Sequence, residues 1–119
     1  MGENLAIDEV ALSNGELYTI VTNKDAKGKK GSLIAIISGT KAEYVIEHIC
    51  KIDYKKRICV KEITLDMANS MKLIAKRCFP KAVQVTDRFH VQKLALDALQ
   101  EIRIKEPFFP LASLLVTIV

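Results

Sequence analysis

Cysteine is scarce in this chain and poorly spaced for a metal site or a disulfide framework. Among 119 residues there are three cysteines, Cys50, Cys59 and Cys78, and no two of them form a C-x-x-C pair. An odd number leaves at least one thiol unpaired, and the spacing is not that of a zinc site. We therefore expect three reduced, half-buried thiols in a cytoplasmic protein.

Long hydrophobic runs are also missing. The N-terminus has neither a basic segment nor an apolar stretch of the kind found in secretory signals. The most apolar segment follows Pro110 and is shorter than the roughly 20 residues that a membrane-spanning helix needs. We therefore expect no membrane partner.

The remaining composition is that of one globular domain with a basic surplus. Half of the residues are apolar and 27% are charged, which disfavours a disordered chain. All 18 basic residues but only 13 of the 14 acidic residues precede residue 106. A basic surplus favours a polyanionic partner, although solvated helix faces are also rich in lysine.

The hydrophobic pattern predicts the element order β-β-β-α-β-α-β-α in a mixed α/β sheet. Ser13-Asn14-Gly15 predicts a hairpin turn, so residues 1–38 are expected to form a three-stranded antiparallel meander. Thr40 and Glu43 have the spacing of a capping box. The expected later elements are helices at 41–52, 67–78 and 89–105 and strands at 58–65 and 82–86.

Three carboxylates lie at the ends of predicted strands: Asp8, Asp66 and Asp87. Strands 1 and 4 are expected to be neighbours, because the meander occupies the other side of strand 1. Asp8 and Asp66 would then share divalent cations such as Mg²⁺ or Mn²⁺, which prefer oxygen ligands. The alternative is that Asp66 and Asp87 cap helices and that Asp8 is a solvated acid.

Asp87-Arg88-Phe89-His90 forms a second candidate group. With Asp87 as an N-cap, His90 would lie in the first helical turn, and both side chains would face the same crevice. The alternative for His90 is a partly buried, hydrogen-bonded histidine.

Several motifs in order resemble a DDE-type bacterial insertion-sequence transposase. They are Leu5-Ala6-Ile7-Asp8-Glu9, Ile63-Thr64-Leu65-Asp66-Met67, and the segment from Phe79 through Thr86-Asp87-Arg88-Phe89-His90-Val91. The D-x-x-H element is the most specific of them. The resemblance covers roughly residues 4–105.

The resemblance implies a ribonuclease H-like fold and a site for DNA strand cleavage and transfer. Asp8 and Asp66 match the first two acids of the Asp-Asp-Glu triad, which binds two Mg²⁺ or Mn²⁺ ions. Asp87 and His90 match the D-x-x-H pair that supports this site. The implied partner is DNA at transposon ends.

The chain departs from the family pattern in its third acid and its last segment. Neither Glu101 nor Glu106 occupies the place of the triad glutamate. We therefore expect residues 1–105 to be the N-terminal part of a catalytic domain, incomplete at its C-terminus and inactive alone. Residues 106–119 form an atypical apolar tail, such as a frameshift would produce.

A second hypothesis is a non-catalytic module derived from a transposase. Lys55, Lys56 and Arg57 would then contact DNA phosphates, and the alternative for this basic cluster is a solvated helix end. In a regulatory version the chain forms a homo-oligomer or a hetero-oligomer with an intact transposase, through its apolar tail and an open sheet edge.

Overall fold

The computed structural model describes residues 2–11, 15–26, 32–65, 69–86, 95–99 and 116–118. Six strands within these ranges form one sheet in the order β5-β4-β1-β2-β3-β6. Their bounds are β1 Asn4–Ala11, β2 Leu17–Asn23, β3 Leu33–Ser38, β4 Glu62–Leu65, β5 Val83–Thr86 and β6 Val116–Ile118. Of the predicted hairpin turn, Ser13 and Asn14 lie outside the described residues, and Gly15 has a φ of 80°, a left-handed value that suits glycine.

The sheet is mixed, which confirms an α/β architecture consistent with a ribonuclease H-like fold. Strand β2 pairs antiparallel with both β1 and β3, as the predicted meander requires. Strand β1 pairs parallel with β4, and β4 pairs parallel with β5, so the predicted neighbourhood of strands 1 and 4 is confirmed. Strand β6, from the apolar tail, pairs antiparallel with β3.

The α-helices that lie wholly within the described ranges are α1 Ala42–Ile49, α2 Tyr54–Arg57 and α3 Asn69–Cys78, and Lys24–Ala26 form a short 3-10 helix after β2. Residues 95–99 are also helical, and the rest of the predicted helix 89–105 lies outside the described residues. The spacing of Met67, Met71, Ile74, Ala75 and Cys78 predicts that these residues form the inner face of α3. Met71, Ile74, Ala75 and Cys78 are all buried, and Met67 lies outside the described residues. The helix ends shortly before Pro80, which cannot continue it.

Two local predictions are wrong. The N-cap of α1 is Lys41 and makes no side-chain capping bond, so Thr40 and Glu43 do not form a capping box. The predicted strand 58–65 is shorter, because the backbone N–H groups of Ile58, Cys59 and Val60 donate hydrogen bonds back to carbonyl oxygens of helix α2. Strand β4 then starts only at Glu62.

The sheet has a separate apolar cluster on each face. On one face α1 and α3 cover the sheet, and Val45, Ile49 and Ile74 pack against strand residues such as Leu5 and Ile63. On the other face residues 95–99 cover a second cluster, which contains Val10, Tyr18, Ile20, Leu33, Ile36, Ala95, Ala98 and Leu99. Helices on both faces of a mixed sheet are the arrangement that alternating strands and helices favour.

The three cysteines differ in exposure, whereas the sequence predicted three half-buried thiols. All three are free thiols, but Cys78 is buried, whereas Cys50 and Cys59 are exposed.

Within the described residues no helix is both long and apolar enough to cross a bilayer.

Candidate active site

Asp8 lies on the central strand β1 and faces the side of the sheet that residues 95–99 cover. Side chains alternate along a strand. Leu5 and Ile7 belong to the cluster under α1 and α3, whereas Val10 belongs to the opposite cluster. Asp8, two positions before Val10, therefore shares its face. The side chain is half-buried, with its Oδ2 atom withdrawn from solvent.

Strands β4 and β5 each end one residue before a predicted site residue. Ala6 of β1 is paired with Thr64 of β4, and Thr64 is paired with Val85 of β5. Strand β4 ends at Leu65 and strand β5 at Thr86. The next residues along each strand, Asp66 and Asp87, lie outside the described residues, as does His90.

The side chain of Lys24 lies on the same face of the sheet as Asp8, nearer to the start of β1. Lys24 follows β2, and its Nζ atom donates hydrogen bonds to Oε1 of Glu62 at 3.2 Å and to Oγ1 of Thr64 at 2.9 Å. Both acceptors are on β4, so the side chain passes over β1, where the small residue Ala6 is buried. This polar bridge ties β2 to β4 across the strand that carries Asp8.

Tyr18 and Glu16 were not predicted as site residues, and they lie on the Asp8 side of the sheet. The hydroxyl of Tyr18 donates a hydrogen bond to Oε2 of Glu16 at 3.2 Å. Tyr18 is paired with Val10, and the next pair on the same face joins Asp8 to Ile20. The signal in the sequence was the alternation of Tyr18 and Ile20 on one face of β2, with Glu16 directly before the strand.

The three residues of the predicted DNA-binding cluster differ in how far they are buried. Lys55 and Lys56 are exposed, whereas Arg57 is only 9% exposed. Arg57 donates hydrogen bonds to the carbonyl oxygens of Ile52, at 3.0 Å, and of Cys78, at 3.1 Å. Its guanidinium also lies over the ring of Tyr54. Arg57 therefore joins α2 to the end of α3, and the two lysines remain available to a partner.

An open surface hollow of about 570 Å³ lies between α1 and α3. These helices cover the face of the sheet opposite to Asp8, so the hollow is separate from the carboxylate of Asp8. The lining residues of the hollow are Lys41, Ala42, Glu43, Tyr44, Glu47 and Leu73. Asp8 itself lies within β1 and not, as predicted, at the end of the strand.

Comparison with known families identifies the chain. The model of the DDE transposase family ISL3, described as a transposase, matches residues 5–107, most of the sequence. This chain belongs to that transposase family. No curated protein matches it. The match includes all the candidate site residues, from Asp8 to His90.

Transposases of the DDE family usually use divalent metal ions, and Asp8 fits this chemistry. Its carboxylate supplies hard oxygen donors of the kind that Mg²⁺ and Mn²⁺ prefer. The part of the chain that the structure describes contains no group of three His, Cys, Asp or Glu side chains able to hold a metal. Of the two metal ligands that the resemblance implies, Asp8 is a described residue and Asp66 is not.

Proposed function

We propose that Asp8 and Asp66 together hold Mg²⁺ or Mn²⁺ at a site for phosphoryl transfer on DNA at transposon ends. The register of β1 and β4 carries this proposal. Glu62 pairs with Asn4, Ile63 with Leu5 and Thr64 with Ala6, so the difference between the two partners' residue numbers is constant. Asp66 and Asp8 differ by the same amount. Continuation of the ladder would therefore set the two carboxylates side by side.

The same reasoning extends the site to strand β5. Val85 pairs with Thr64 and Thr86 with Leu65, again with a constant difference in residue number, and Asp87 follows Asp66 by that same interval. We therefore propose that the three aspartates stand at one level of three adjacent parallel strands. Crevices at the carboxyl ends of such strands form binding sites in open α/β sheets. His90 would support the site from the following helical turn.

Each group has a distinct role in this proposal. Asp8 and Asp66 are the metal ligands, while Asp87 and His90 lie beside them and support the site, with His90 as the group that can donate a hydrogen bond. Bound cations would activate water or a DNA 3′-hydroxyl and offset the charge of the in-line transition state. The buried surroundings of β1 hold the Asp8 carboxylate on a rigid element, which such chemistry requires.

We propose further that residues 1–119 alone cleave DNA slowly or not at all. The resemblance calls for three carboxylates, and only Asp8 and Asp66 match its motifs. The test is a nicking assay on terminal inverted-repeat DNA with Mg²⁺ or Mn²⁺, in which we expect no turnover above that of Asp66→Ala. Metal-dependent nicking that Asp66→Ala abolishes would overturn the claim of inactivity.

A second candidate function is a DNA-binding or regulatory module, and two exposed surfaces favour it. Lys55 and Lys56 are exposed and form no ion pair with another described residue. All four residues of the terminal strand β5 are exposed, with Val83 at 66%. Such an edge is a template for strand pairing with a second chain. Mixing with an intact transposase, followed by size-exclusion chromatography, tests whether hetero-oligomers form.

A further inference from the structure

The solvent face of α3 carries only positive charge. Lys72, Lys76 and Arg77 are exposed, and the helix contains no acidic residue. Lys81 follows after Pro80 and is exposed as well. Basic residues in a last helical turn are favourable for the helix itself, because they face the negative end of its dipole. That effect does not account for Lys81, which lies beyond the helix.

Arg57 brings a second basic segment to this place. Its guanidinium donates to the carbonyl oxygen of Cys78, the last residue of α3, at 3.1 Å. This bond satisfies a carbonyl that the helix itself leaves unpaired and holds α2 within one arginine side chain of the end of α3. Lys55 and Lys56, the exposed residues that precede Arg57, are thereby carried to the same end. Two basic segments that are distant in sequence are thereby held at the same end of α3.

We call this surface the basic ridge and define it by its five exposed cations, Lys55, Lys56, Lys76, Arg77 and Lys81. The ion pairs among described residues are Lys24–Glu62 and Lys61–Glu3, and neither involves the ridge. The nearest acid in sequence, Asp53, is engaged as the N-cap of α2. The cations of the ridge therefore form no ion pair with a described carboxylate.

We propose that the basic ridge binds the sugar–phosphate backbone of duplex DNA at a place separate from the strand-end carboxylates. The ridge lies beside α3, which packs on the face of the sheet opposite to Asp8. DNA on the ridge is thus a segment other than the one at the proposed metal site. Lysine ammonium groups are flexible point charges, suited to phosphates without regard to base sequence.

The choice of DNA as the partner rests on the proposed function, but the binding requires no metal. This difference allows the two proposals to fail separately. Binding measured in EDTA tests the ridge without any contribution from a bound metal ion. If the chain binds DNA through the ridge but never cleaves it, only the proposed metal site fails. If the chain cleaves DNA but does not bind it through the ridge, only the ridge proposal fails.

The experiment is fluorescence anisotropy with a labelled duplex of arbitrary sequence, in EDTA, over a range of NaCl concentrations. The double variants K55A/K56A and K76A/R77A should each weaken binding at low salt on the order of tenfold. Each should also lower the slope of log Kd against log [NaCl] by about 0.9 for every phosphate that the variant no longer neutralises. The matched control is Lys41→Ala, which removes an exposed lysine at the N-terminal end of α1.

Two results would overturn the proposal. One is an unchanged slope in both double variants, or a loss in Lys41→Ala that is equal per charge removed, since binding would then follow net charge and not the ridge. The other is displacement of DNA by polyglutamate at equal charge concentration, which would indicate an acidic protein partner. Circular dichroism of each variant confirms that loss of binding is not loss of fold.

Discussion

The ammonium group of Lys24 donates a hydrogen bond to Oγ1 of Thr64 at 2.9 Å, across the intervening strand β1. The same nitrogen reaches Oε1 of Glu62 at 3.2 Å. Thr64 is buried, and it is the partner of Ala6 in the parallel ladder, just before the proposed pairing of Asp8 with Asp66. The bridge therefore fixes β4 against β1 immediately below the proposed metal site.

We predict that Lys24→Met destabilises the fold more than the loss of an ordinary surface ion pair. Glu62 and Thr64 lose a shared donor in a partly buried setting, so the free energy of unfolding should fall by about 1–2 kcal/mol. The control is Lys61→Met, because Lys61 pairs with Glu3 at 3.4 Å in a well-exposed position. Its loss should cost less than about 0.5 kcal/mol. Urea denaturation measures both, and equal effects would contradict the prediction.

We predict that Arg57→Lys is not a conservative change. A lysine cannot donate to the carbonyls of Ile52 and Cys78 together and also stack on Tyr54. We expect a loss of about 2–3 kcal/mol in the free energy of unfolding, since a buried charge and a buried carbonyl lose their partners. Lys56→Ala, at the preceding exposed position of α2, should change it by less than about 0.5 kcal/mol. If both variants unfold at the same urea concentration, Arg57 does not join α2 to α3.

We predict that Cys78 resists alkylation while Cys50 and Cys59 react. Burial, with the thiol of Cys50 close by, raises the pKa of Cys78 from 9.0 to about 12. The thiolate is the nucleophile, so a raised pKa slows its reaction. Mass spectrometry after iodoacetamide treatment at pH 8 should find two modified cysteines in the folded chain and three in urea. Modification of Cys78 at the rate of Cys50 would contradict this.

The same shift gives a pH dependence with a definite sign. The folded chain holds the Cys78 proton more tightly than the unfolded chain, so this contribution to stability is complete below pH 9.0. It is lost as the pH rises toward the folded-state pKa of about 12. Between these values the thiol lowers the free energy of unfolding by at most about 1.4 kcal/mol per pH unit. Cys78→Ala should reduce the slope of stability against pH above 9, whatever its effect at neutral pH.

We predict that Lys41→Asp stabilises α1. Lys41 occupies the N-cap with φ −66° and ψ 124°, an extended conformation suited to capping, yet its side chain makes no capping bond. An aspartate there would accept a hydrogen bond from the first turn and add a negative charge at the positive end of the helix. The gain should be about 0.5–1 kcal/mol. Thr40→Asp is the control, and a larger gain there would place the N-cap one residue earlier.

The sequence predicted correctly those features that depend on neighbouring residues or on the order of the strands. The apolar period of α3 correctly placed Met71, Ile74 and Cys78 in the core, because a helix face is set by side chains three and four positions apart. The parallel neighbourhood of strands 1 and 4 was also predictable, since the meander left one side of β1 open. Both inferences use local pattern and chain connectivity alone.

The failures involve partners that are distant in sequence or competing local caps. Arg57 looked like one member of a solvated basic run, but the carbonyl that it satisfies belongs to Cys78, at the end of another helix. Thr40 matched a capping box, yet the helix begins after Lys41. The bridge from Lys24 to Thr64 has no local signal, because it exists only once three strands are side by side. The proposed roles of Asp66, Asp87 and His90 stay predictions.

The most direct test of the central claim, that Asp8 and Asp66 share one metal site, is paramagnetic broadening by Mn²⁺ in an amide NMR spectrum. We expect Mn²⁺ to broaden the signals of Ile7, Glu9 and Leu65 first, with EDTA reversing the effect. Asp66→Asn should remove the broadening on β1 as completely as Asp8→Asn does. If Asp66→Asn leaves Ile7 and Glu9 fully broadened, or if Mn²⁺ broadens neither β1 nor β4, the two aspartates do not form a common site.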